Sequence, residues 1–288
     1  MHTEGLHHSS ASIDAMSTEE IFTLMNEEDV LAAEAVRAAK PAVCRAIEDA
    51  VKAIRSGGSV VYIGAGTSGR LGVLDASEMP PTFNTPPHMI RGIIAGGSRA
   101  LTTSIEGAED DELSGAGAAS EITANDMALG ITAGGGAPFV ISALRESKAR
   151  GARCWLLTCS AIEYDFLDGV IHAATGPEIV SGSTRLKAGT ATKMILNMLS
   201  TITMIRLGRV YKGYMVDVIP SNTKLKRRAL RIICELTGLP PEPAGELFRR
   251  ARGNAKTAVV MHERCVSFDE ATEILAKHGG SLREALRC

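Results

Sequence analysis

A glycine-rich stretch, Gly64-Ala65-Gly66-Thr67-Ser68-Gly69-Arg70, follows directly on a short apolar run, Ser59-Val60-Val61-Tyr62-Ile63. Glycines let the backbone approach a ligand closely, and a helix starting beyond them offers unpaired N–H groups and a partial positive charge. Thr67 and Ser68 add hydroxyls where an anion's oxygens would sit, so Gly66, Thr67 and Ser68 are candidate phosphate ligands. Two other uses of such a loop fail on residue type. A dinucleotide site needs an acidic residue ending the next strand, and Met89–Ile94 carries none. A nucleotide P-loop needs Gly-Lys-Ser/Thr, and here Arg70 follows the third glycine.

Acid–base chemistry would need carboxylates as well. Glu78 stands just before Met79-Pro80, where a helix has to end. Glu109 lies in an acidic run with Asp110, Asp111 and Glu112. Position alone reads both as solvated surface groups. The six cysteines show no CxxC pair and no metal-ligand spacing, so they read as reduced, buried thiols. His7 and His8 read as part of a mobile surface terminus. Neither a metal nor a cofactor is expected.

The elements that must position these groups follow from periodicity. Ser17 to Arg55 reads as helices opened by a capping box, Ser17 with Glu20, and closed by Gly57-Gly58. Short apolar runs at Ser59–Ile63, Met89–Ile94, Met127–Ile131, Cys154–Thr158 and Val170–Ala174 are strand candidates, separated by enough chain for helices. Pro138–Lys148 is one such helix, and another is expected to begin near Arg70. This alternation predicts a parallel sheet covered on both faces. The glycine loop and the loop at Gly134–Pro138 should then open on one cavity at the carboxyl edge of the sheet. Met194, Ile195, Met198, Leu199, Ile202 and Ile205 form a helical apolar stripe, suited to core or to a dimer interface. Pro240-Pro241-Glu242-Pro243 reads as a linker, with a three-helix cap after it. The expected division is an N-terminal helical segment over 1–56, the sheet domain over 57–223, and a helical region over 224–288.

The run from Gly64 through Glu78, continuing into Pro80-Pro81-Thr82-Phe83, resembles the motif of N-acetylmuramic acid 6-phosphate etherases. Glu106-Gly107-Ala108-Glu109-Asp110 is similar to a second segment of that family. Gly176-Pro177-Glu178, Gly182-Ser183-Thr184-Arg185-Leu186-Lys187 and Gly189-Thr190-Ala191 resemble a third. Met215-Val216-Asp217 and His278-Gly279-Gly280 fit as well, so the resemblance runs from about Thr3 to the end. It implies an SIS-type α/β sheet flanked by helices, with a small helical C-terminal cap, usually a dimer. The implied activity is a carbon–oxygen lyase of amino-sugar metabolism and peptidoglycan recycling, which removes D-lactate to leave N-acetylglucosamine 6-phosphate. By the same resemblance Glu109 is the base and Glu78 the acid, while Gly134, Gly135, Glu178, Ser183 and Lys187 join Gly66, Thr67 and Ser68 as substrate-binding residues.

Two departures stand out. Where the family carries Ser-Gly-x-Thr-Pro, this chain has Gly134-Gly135-Gly136-Ala137-Pro138, without either hydroxyl. Near the N-terminus Leu6 replaces an arginine. The lost hydroxyls leave open a non-catalytic sugar-phosphate regulator, akin to glucokinase regulatory protein. An aldose–ketose phosphosugar isomerase is a third reading of the same fold.

Composition narrows the class further. Net charge is −2 and aromatic content 4%, which argues against a nucleic-acid partner. The best apolar run, Met194–Ile205, is interrupted by Asn197, Ser200 and Thr201, so no membrane span is expected. The expectation is a cytoplasmic homodimer acting on a small phosphosugar.

Overall fold

The computed structural model describes Thr3, 5–218, Pro220 and 223–287. In chain order the elements are α1 (Thr18–Ala38), α2 (Lys40–Arg55), β1 (Val60–Gly64), α3 (Gly66–Ser77), α4 (Met79–Phe83), β2 (Ile90–Ile94), α5 (Glu112–Ala118), β3 (Met127–Ile131), α6 (Pro138–Ala149), β4 (Arg153–Thr158), β5 (Gly169–His172), α7 (Lys187–Arg206), β6 (Val210–Tyr211), β7 (Tyr214–Met215), α8 (Thr223–Thr237), α9 (Pro241–Arg250), α10 (Ala255–Glu263), α11 (Phe268–Lys277) and α12 (Leu282–Arg287). Two compact units result. One comprises the chain up to Ser77 with Pro87–Ser200, the other Glu78–Pro86 with the chain from Thr201 onward.

In the first unit, β1 to β5 form one parallel sheet in the order β2-β1-β3-β4-β5. The central strands β1 and β3 are buried along their whole length, as continuous apolar runs require when helices cover both faces. Val61, Ile63, Ala128, Val140, Leu144 and Leu156 build one core layer between strands and helices. The capping box of α1 forms as expected, with Ser17 accepting from the Glu20 N–H and Glu20 accepting from the Ser17 N–H.

Three expectations are corrected. Helix α3 begins at Gly66, not near Arg70, so Thr67 and Ser68 lie in its first turn. The early start is possible because Gly66 takes φ +52° and because Gly69 lies directly on β1. A Cβ at position 69 would sit 2.6 Å from Ile94 and 2.7 Å from the Gly64 carbonyl. The Pro240-Pro241-Glu242-Pro243 stretch opens a helix instead of linking, since proline suits the first helical turn, and four helices follow from Pro241. His7 is not on a mobile surface: it is buried, with Nε2 3.1 Å from Glu28 Oε1, and Thr3 pairs with Ser160 at 3.3 Å. Of the cysteines, Cys154 and Cys159 are buried, which pushes their thiols to about 12 and about 11, whereas Cys44 and Cys265 are exposed.

At the opposite edge of the sheet, Asp126 accepts the Ser59 N–H at 2.6 Å and the Thr123 N–H at 2.7 Å, plus both hydroxyls. Burial pushes its carboxyl up, but these bonds outweigh burial and hold it below the usual carboxylate range. Its contribution is therefore present above the unfolded carboxylate value and lost as pH falls through the lower folded one. Asp126→Asn, which cannot accept on both sides, should cost roughly 2 kcal/mol at pH 7. Urea titrations should show that difference shrinking below about pH 4.

The second unit packs Val216, Ile232, Ile233, Val259, Val260 and Leu282 into its own core. Buried Lys256 joins its segments, donating to Asp217 Oδ2 at 2.7 Å and to the carbonyls of Gly280 at 2.7 Å and Gly208 at 3.2 Å. Family-like motifs around Asp217 and Gly280 thus meet at one ammonium group. Among the described residues no helix is long and apolar enough to cross a membrane.

Candidate active site

The carboxyl edge of the first unit's sheet opens into a cavity of about 530 Å³. Ala65, Gly66, Thr67 and Ser68 form one wall at the start of α3. Ile131 to Gly134 with Gly136, Ala137 and Pro138 form another, leading from β3 into α6. Glu109 and Asp110 close a third side, and Gly182 and Thr184 a fourth. The two loops face one cavity because β1 and β3 are parallel neighbours, each leading into a helix at the same edge.

Two helix starts converge here. Around Thr67 and Ser68 the first-turn N–H groups and hydroxyls offer a seat for an anion. At α6 the cap residue is Ala137, which makes no side-chain capping bond. The α6 start is tied instead to the acidic loop, the Phe139 N–H donating to the Glu109 carbonyl at 2.9 Å. That bond fixes the Glu109 backbone while its side chain stays exposed to the cavity.

The residues singled out from the sequence are therefore partly assembled. Gly66, Thr67, Ser68, Gly134 and Glu109 share the cavity. Gly135 turns the second loop at φ +83°, and its carbonyl accepts the Tyr164 hydroxyl at 3.2 Å. Ser183 lies between the lining residues Gly182 and Thr184. Glu178 and Lys187 do not reach the cavity. Glu178 is buried and caps α7, accepting the Ala188 N–H at 2.9 Å and the Lys187 N–H at 3.2 Å. Burial pushes its carboxyl above the usual range, against the pull of those two bonds. The Lys187 ammonium is buried against Glu28, which His7 also meets. A buried cation is held by the anion that neutralises it, so Lys187 is not free for a ligand. Glu78 belongs to the second unit, exposed at the junction of α3 and α4, and is not among the cavity residues. The sequence reading missed Asp110, Thr132 and Thr184. Each adjoins a singled-out motif or strand end, which was the available signal.

A five-stranded parallel sheet with this loop pair at its carboxyl edge defines an SIS-type α/β fold. Residues 42–148 match the family described as the glucokinase regulatory protein N-terminal SIS domain. Over 288 residues the chain is 45% identical to N-acetylmuramic acid 6-phosphate etherase of Geobacillus thermodenitrificans (strain NG80-2), covering 99% of this chain and 98% of that one. It is 48% identical over 288 residues to the etherase of that name from Nostoc sp. (strain PCC 7120), covering 99% and 94%. The solved structure of E. coli CFT073 c3406 is similar over 66% of this chain and 93% of that one, at TM-score 0.47 and 15% identity. The chain belongs to the N-acetylmuramic acid 6-phosphate etherase family.

Proposed function

We propose that this protein is a lyase that cleaves the D-lactyl ether of N-acetylmuramic acid 6-phosphate. The observation that carries the reading is that Glu109 lines the same cavity as the hydroxyl-bearing start of α3. Opening the sugar ring exposes an aldehyde at C1, which acidifies the C2 proton. Glu109 removes that proton, the C3–oxygen bond breaks, and Glu78 protonates the departing ether oxygen. Lactate leaves an unsaturated aldehyde, and water adds at C3 to give N-acetylglucosamine 6-phosphate. Phosphate sits on Gly66, Thr67 and Ser68, with Gly134 and Ser183 nearby. Incubation with N-acetylmuramic acid 6-phosphate should release D-lactate, and the unphosphorylated sugar in parallel should release far less. Sugar binding without lactate release would favour the regulator reading, and interconversion of an aldose and a ketose phosphate the isomerase.

The working unit is a homodimer with a shared site. On α7, Ile195 and Leu199 are buried, while Met198, Ile202 and Ile205 are 39%, 37% and 46% exposed. That row suits a second copy across a two-fold axis. Free thiols and a phosphorylated substrate suit the cytoplasm.

The second loop supplies a direct test of phosphate binding. A Cβ at Gly134 would meet nothing within 4 Å, so a serine fits there. Ala137 stands at the cap of α6, where threonine is preferred to alanine by about 1 kcal/mol. Gly134→Ser with Ala137→Thr should raise Tm. It should also tighten N-acetylglucosamine 6-phosphate by at least about tenfold, the worth of one hydrogen bond to a charged group. Calorimetry showing no gain would mean that the loop is shaped for a different group.

A further inference from the structure

The proposed substrate carries two anionic groups, a phosphate and the carboxylate of its lactyl arm. Among the described residues the cavity is lined by Glu109 and Asp110 and by no lysine, arginine or histidine. One anion has a seat at the start of α3. The other needs a cation, because a carboxylate beside two acidic side chains is otherwise repelled.

The cations of the surrounding motifs are spent, with one exception. Arg70 donates to the carbonyls of Ala100 at 2.9 Å and Thr103 at 3.3 Å. Lys187 is buried against Glu28. Lys193 is bonded to Asn197 and lies 3.9 Å from Asp75. Arg185 is exposed and adjoins Thr184, which lines the cavity. Among the described residues it takes part in no hydrogen bond or ion pair. The turn that carries it is held without its side chain, through the Thr184 N–H to Gly182 at 2.9 Å and the Leu186 N–H to Ser183 at 3.1 Å. A long cation without a structural partner, one residue from a wall of an acidic cavity, is within reach of a ligand bound there.

We infer that Arg185 is the specificity-determining residue that binds the lactyl carboxylate. Its planar fork matches a carboxylate with two parallel N–H···O bonds, a geometry that lysine cannot offer. This rests on the lyase reading and adds to it the recognition of the leaving group, since hydroxyls and helix N–H groups already serve the phosphate.

The experiment compares kcat/KM for N-acetylmuramic acid 6-phosphate and for its lactyl carboxamide, in wild type, Arg185→Gln and Arg185→Lys. Inhibition by N-acetylglucosamine 6-phosphate, which has the phosphate but no lactyl arm, is measured alongside. Wild type should prefer the free acid by roughly 10- to 100-fold, the range for hydrogen bonds to a charged group. Arg185→Gln should lose that preference and Arg185→Lys keep part of it, with inhibition by the product unchanged. An equal loss for acid and amide would overturn the inference, since a merely structural residue acts on both alike. Weaker product inhibition in step with the lost activity would overturn it too, assigning Arg185 to the phosphate. If wild type released lactate from neither compound, the lyase reading itself would fall, a result distinct from either of those.

Discussion

Glu109→Gln should lower D-lactate release by at least about a hundredfold, the usual lower bound for removing a general base. Binding of N-acetylglucosamine 6-phosphate, followed by calorimetry, should stay within about threefold, because a neutral isostere in the cavity leaves the phosphate seat untouched. The structure makes this variant a clean one. The Glu109 side chain is exposed to the cavity, and the loop is fixed through its carbonyl, which accepts the Phe139 N–H at 2.9 Å. A fall in activity therefore reports chemistry and not unfolding. Asp110 lines the same wall and is the natural control. Asp110→Asn should retain activity within about tenfold, since a neighbouring charge is worth far less than the proton acceptor. Should Asp110→Asn be the inactive variant and Glu109→Gln the active one, the base is Asp110 and the assignment shifts by one residue.

How far the sequence alone can reach depends on the range of each interaction. Met127–Ile131 is legible to the residue, because a strand buried on both faces is a continuous apolar run and its neighbours break the pattern. The Ser17–Glu20 box is equally legible, being closed within four residues. Glycines read as a loop, yet Gly66 and Gly69 begin a helix. What permits that start is the contact of Gly69 with Ile94, 25 positions further on, and no local pattern carries it. Lys187 has the setting least legible in the sequence. A lysine in a glycine- and serine-rich motif looks like an anion ligand, and only a pairing across 159 positions shows that Glu28 holds it. His7 joins the same buried group, so a polar N-terminus that reads as surface is part of the interior. The cavity's lack of cations is invisible in the sequence for the same reason: whether Arg70, Arg185 or Lys187 is free depends on partners far away in the chain.

Mixing Glu78→Gln protein with Glu109→Gln protein should restore lactate release, although each alone is nearly inactive. Helix α3 runs unbroken from Gly66 to Ser77, with Gly72 packed 3.1 Å from Tyr62 and 3.2 Å from Ile131 by its absent Cβ, so no early break brings Glu78 back. Ten residues of helix separate Ser68 and Glu78 by about 15 Å at 1.5 Å per residue. A hexosamine 6-phosphate spans less than that from its phosphate to its C3 ether. We propose on this ground that Glu78 serves the site of a neighbouring copy, and Glu109 the site of its own chain. In a dimer carrying one variant on each side, one site then holds both intact carboxylates and the other holds neither. Random exchange makes about half of the dimers mixed, each with one working site, so about a quarter of wild-type activity should return. If both carboxylates act from one chain, every site in the mixture lacks one of them and activity stays at background. Exchange is checked independently by mass spectrometry of differently tagged copies, so that background activity in demonstrably mixed dimers counts against the shared site. Replacing Ile202 by aspartate on the exposed row of α7 provides a second arm. It should produce monomers in sedimentation and abolish lactate release together, because a monomer would hold Glu109 without a partner's Glu78.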